Sequence, residues 1–65
     1  MLVAKYSCRF LDSSNRIDDV EIIDCDSDSL AEARARSLFS RRDFPSLELW
    51  LLDRLVFRDT KTPPS

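Results

Sequence analysis

The 65 residues contain no glycine and no histidine, and only two cysteines, Cys8 and Cys25. The missing glycine excludes phosphate-cradling loops, dinucleotide fingerprints and nucleophile elbows, because each needs a backbone approach that a Cβ blocks. Without histidine there is no His-containing zinc site, and two cysteines cannot complete a four-cysteine site within one chain. Neither thiol has an imidazole to activate it. Long apolar runs are also missing. The opening stretch MLVAKYSCRF is interrupted by Lys5 and Arg9 and is too short for a signal peptide or a membrane span. Together these absences predict a non-catalytic protein with no cofactor, no metal and no membrane association.

A chain of this length forms one domain at most, and a core so small supplies only about 3–5 kcal/mol of net stability. Such domains gain from disulfides, a metal or self-association. The cysteines are not positioned to pair. If Phe10 and Ile17 flank a hairpin turn, Cys8 lies opposite roughly Asp19, and Cys25 is about five or six residues further along, beyond the roughly 7 Å Cα limit of a disulfide. Two buried, reduced thiols are therefore expected, which fits a cytoplasmic location.

The charge is unevenly spread. The net charge is −2, but residues 12–32 carry eight acids against Arg16 alone, whereas residues 33–65 carry seven basic residues against four acids. A mildly acidic chain argues against nucleic acid as a partner. It does predict a surface with an acidic end and a basic end.

Residues 1–11 alternate, with Leu2, Ala4, Tyr6, Cys8 and Phe10 on one face and Val3, Lys5, Ser7 and Arg9 on the other, as in a half-buried strand. Asp12-Ser13-Ser14-Asn15 reads as a turn, with Asn15 able to take the left-handed conformation that glycine would otherwise supply. Residues 16–25 are rich in β-branched side chains and form a second strand. Val20 and Ile22 share one face and Ile17, Ile23 and Cys25 the other, so either both faces are partly covered or a bulge near Ile22–Ile23 switches the phase. The acids Asp18, Asp19, Glu21 and Asp24 suit a sheet edge, where charge blocks further pairing.

The one amphipathic helix starts at about Ser27 or Asp28, capped by Asp26 or Ser27, with Ser29 and Glu32 offering a later capping box. Ala31, Ala35, Leu38 and Phe39 form its apolar stripe, with Leu30 alongside. Pro45 ends it. In residues 47–58, Leu47, Leu49 and Leu51 alternate with Glu48, Trp50 and Leu52. Asp53-Arg54 then interrupts, leaving either one bulged strand or two strands. The expected domain is residues 1–58, followed by a tail at 59–65.

The predicted fold is α+β: a two-layer ββαβ(β) arrangement with an antiparallel three- to four-stranded sheet, order 2-1-3, and one helix on one face. The pieces YSCRFLD, DCDSD, LAEARARSLF, LELW and RLV together resemble short uncharacterised bacterial proteins common in alphaproteobacteria. That resemblance covers about residues 5–57 and implies a short terminal hairpin, hence a fourth strand. It implies no known activity.

Asp24, Asp26 and Asp28 have the spacing that opens a calcium-binding loop, but Ser29 stands where that loop needs glycine and Ala35 where it needs a bidentate glutamate. Helix capping accounts for the same acids. Asp18 and Asp19, as strand neighbours, point to opposite faces and make no acid/base pair. Arg34, Arg41 and Arg42 are candidate phosphate contacts at the basic end of the helix, the alternative being a nucleic-acid-associated protein. The favoured prediction is self-association, as a homodimer, through the uncovered sheet face or edge. Its candidate residues are Val3, Trp50, Leu52 and Val56, because a two-layer fold leaves one apolar set of the last strand bare.

Overall fold

A computed structural model describes residues 3–61. Within them the element order is β1 (Ala4–Leu11), β2 (Ile17–Cys25), α1 (Asp28–Arg41), β3 (Ser46–Leu51) and β4 (Arg54–Thr60). The strands form one sheet in the order β2-β1-β3-β4, with every neighbouring pair antiparallel. The α+β reading holds, and the stretch after Pro45 is two strands rather than one. Met1 and Leu2, placed in the first strand from the sequence, lie outside the described residues.

The first hairpin turns as its side chains dictate. Asp12 Oδ1 accepts from the backbone N–H groups of Ser14 and Arg16 at 2.8 and 3.0 Å, and Asn15 takes φ 62°. The resulting register pairs Cys8 with Glu21, not with Asp19, which faces Phe10 instead. An irregularity lies between the Phe10–Asp19 and Leu11–Ile17 pairs, leaving Asp18 as the extra residue on β2. Of the two alternatives read from the sequence, a bulge near Ile22–Ile23 is not the one found: the ladder is regular there and the bulge lies at Asp18. It moves Ile17 onto the face shared by Val20 and Ile22, while Ile23 and Cys25 remain in the core.

Ser27 caps the helix, its Oγ accepting from the Leu30 N–H at 3.2 Å, and Asp28 supplies the acid in the first turn. Buried Ala31, Ala35 and Phe39 lie on the sheet, Leu38 is partly buried, and Leu30 is exposed. The alanines let the helix approach closely. The core is completed by Tyr6, Cys8 and Phe10 from β1, Ile23 and Cys25 from β2, and Leu47 and Leu49 from β3. Cys25 pairs with Ala4, four residues along β1 from Cys8, about 14 Å away at strand spacing. Both thiols are free and buried.

The β3–β4 hairpin closes at the Leu51–Arg54 pair with only Leu52 and Asp53 between. Leu52 takes φ 57° where a glycine or asparagine would be usual. A second irregularity, between the Leu49–Phe57 and Trp50–Leu55 pairs, leaves Val56 as the extra residue. β4 continues through Thr60, and the Lys61 N–H donates to the Pro45 carbonyl at 2.8 Å. Asp59 and Thr60 therefore belong to the sheet and not to a tail. Residues 62–65 of the expected tail lie outside the described residues.

Candidate interaction face

The helix covers one face of the sheet, and on the other side the pairing register sets the side chains in rows. Ile22, Ser7, Trp50 and Leu55 form one row across β2, β1, β3 and β4; Val20, Arg9, Glu48 and Arg58 form the next. Ile22 is 57% exposed, Val20 47% and Leu55 42%. Trp50 is half-buried, and the Arg9 guanidinium lies over its ring at 4.8 Å.

Glu48 anchors the middle of this face. Its Oε1 accepts from Trp50 Nε1 at 3.0 Å and its Oε2 from Arg58 Nη2 at 2.9 Å. The indole N–H first, then the Arg58 guanidinium, hold its carboxyl below the usual glutamate range. The face thus has apolar positions toward both outer strands and a fixed polar seam between them.

Of the residues singled out for self-association, Trp50 stands on this face. Val3, just before β1, is exposed, and Leu52 is 85% exposed at the tip of the β3–β4 turn. Val56 is instead partly buried against the core, and Leu55 takes the place beside Trp50. The bulge on β4 causes that exchange. Val20 and Ile22 were recognisable as a matched pair in the sequence, but their exposure depends on which face the helix covers.

The three candidate arginines have different surroundings. Arg42 pairs with Asp19, lies 3.6 Å from Glu21 Oε2, and stacks over Phe10 and Phe44 at 4.7 and 5.4 Å. Arg34 borders a shallow groove of about 380 Å³ between β2 and α1, beside Glu21 and Asp24, whose carboxylates repel an anion. Arg41 is exposed in the last helical turn.

The acidic stretch is likewise occupied by structure. Asp28 Oδ1 accepts from the Tyr6 hydroxyl at 2.6 Å and Oδ2 from Arg54 at 3.2 Å. Among the described residues no three His, Cys, Asp or Glu side chains gather as a metal site, and no helix is long and apolar enough to cross a membrane. Burial raises the Cys8 thiol to about 12, with Glu21 adding to the effect. No known protein family, curated protein or solved structure matches the chain.

Proposed function

We propose that this protein is a small non-catalytic interaction module that associates with a second copy of itself through its open sheet face. The observation that carries the reading is that exposed Val20 and Ile22 on β2, and exposed Leu55 beside Trp50 at the other flank, share the face opposite the one the helix covers. Apolar side chains exposed on one sheet face gain by leaving water together. A second copy fits because the same face carries both charge signs, in Glu48 and in Arg9 and Arg58, which is what a self-complementary surface requires.

The state of the reactive groups supports a non-catalytic role. Cys8 is held as a protonated thiol, and Asp28 and Glu48 are committed to hydrogen bonds that keep them ionised. The two free, buried thiols suit a reducing compartment such as the cytoplasm. Four strands about 4.8 Å apart give a face of only about 350 Å² in plan, below the roughly 800 Å² per partner of a standard interface. The dimer is therefore expected to be weak and transient. Sedimentation equilibrium tests this: the mass should rise from 7.6 kDa toward twice that value with concentration. A constant monomer mass up to about 1 mM would remove the reading.

A further inference from the structure

We propose that the two copies pack open face to open face about a two-fold axis parallel to the strands, so that Arg9 of each chain meets Glu48 of the other. This inference rests on the preceding reading that the open face takes a second copy.

The rows fix the argument. A two-fold axis parallel to the strands and midway between β1 and β3 reverses the strand order but keeps each row opposite itself. The row Ile22, Ser7, Trp50, Leu55 then lies over its own reversal. Ile22 covers the partner's Leu55, and Ser7 meets the partner's Trp50. In the next row Arg9 meets the partner's Glu48, and Val20 lies against the aliphatic stem of the partner's Arg58. Apolar positions meet at both flanks, and opposite charges meet twice beside the axis.

The other two-fold arrangements fail on charge. An axis in the sheet plane but perpendicular to the strands keeps the strand order: through the row of Val20, Arg9, Glu48 and Arg58 it sets each charge against its own copy, and between the two rows it sets Arg9, Glu48 and Arg58 over uncharged Ser7, Trp50 and Leu55. An axis normal to the sheet joins edges. There two antiparallel copies of β2 would bring strands that each carry Asp18, Asp19, Glu21 and Asp24 side by side, and charge of one sign along an edge opposes such pairing.

The geometry of the seam suits the proposed contact. Glu48 uses one acceptor position on each oxygen, for Trp50 and Arg58, and a carboxylate offers about four. Arg9 is laid on the Trp50 ring, so its guanidinium is already oriented above the sheet. Aligned sheets pack about 10 Å apart, within reach of an arginine and a glutamate from opposing faces.

Charge reversal tests the axis. Arg9→Glu alone and Glu48→Arg alone each set like charges against each other at both contacts, and each should weaken dimerisation at least about tenfold. An equimolar mixture of the two variants should restore it. In the mixed dimer the two substituted side chains meet at one contact, while native Glu48 meets native Arg9 at the other. Circular dichroism verifies that each variant is folded. If either does not fold, a wild-type sample mixed from differently isotope-labelled chains decides instead. Intermolecular contacts between Ile22 and the partner's Leu55 are expected. A wild-type dimer whose variants fail to complement, or whose Ile22 contacts the partner's Val20 or Ile22, overturns this axis and leaves self-association standing. A wild-type monomer overturns both.

Discussion

The Tyr6 hydroxyl donates to Asp28 Oδ1 at 2.6 Å, tying the central strand β1 to the first turn of α1. Arg54 reaches the other oxygen of the same carboxylate from β4. One acid at the helix N-terminus therefore joins both layers, and it also suits the positive end of the helix dipole. Replacing Tyr6 by Phe removes the stronger of the two hydrogen bonds and keeps the ring in the core. The Asp28 pKa should then rise toward the ordinary aspartate value, and the melting temperature should fall. Carboxyl-carbon NMR titration of Asp28 checks this; an unchanged titration would show that Tyr6 does not hold it.

The pH dependence should have two limbs. Glu48, held by Trp50 and Arg58, and Asp28, held by Tyr6 and Arg54, have lowered pKa values in the folded chain. The unfolded chain takes up these protons first as pH falls. Their stabilisation is therefore present above the ordinary carboxylate range of about 4 and is lost as pH falls through the lower native values. The Tyr6 phenol is raised chiefly by its bond to Asp28, and the Cys8 thiol is raised to about 12 by burial. Raised groups act in the opposite direction: their stabilisation is complete below the unfolded values and fades as pH climbs toward the native ones. Urea midpoints should be flat from about pH 5 to 8 and decline above about pH 8.5. Cys8→Ala should flatten the start of the alkaline decline; a wild-type midpoint constant to pH 10 contradicts the assignment.

Leu52 carries a left-handed φ of 57° with its side chain almost wholly in water. A branched side chain there strains the backbone without gaining burial. Leu52→Asn should stabilise the fold by about 1 kcal/mol, because asparagine visits this region readily. Chemical denaturation measures it, and a loss of stability would mean that the turn uses the leucine.

Arg42 joins the end of the helix to the acidic strand and stacks on two aromatic rings. Arg42→Ala should cost about 1–2 kcal/mol, combining a partly screened ion pair with cation–π contact. Arg42→Lys should recover only part of this, since an ammonium group cannot stack as a flat guanidinium does. Full recovery by lysine would assign the whole effect to charge.

The layers of this fold are legible in the residues. The alternation through Tyr6, Cys8 and Phe10, the cap at Ser27 and the phase of Ala31, Ala35 and Phe39 give both the elements and the faces that meet. The two bulges are not legible, because no local pattern marks Asp18 or Val56 as the extra residue that shifts the ladder. The same slip exchanges Val56 for Leu55 on the open face. The β3–β4 turn is not legible for a related reason: its left-handed position is filled by Leu52, a residue with no preference for it. The commitment of Arg42 to Asp19 depends on a separation of 23 residues that no local pattern encodes.

The role of the open face is tested most directly by an amide NMR dilution series of the full chain, from about 1 mM to about 10 µM. Concentration-dependent shifts should be confined to Ser7, Arg9, Val20, Ile22, Glu48, Trp50 and Leu55 and their neighbours on the open face, while exposed helix residues such as Ala33 and Ser37 stay fixed. Spectra independent of concentration, or shifts centred on the helix, would contradict the account.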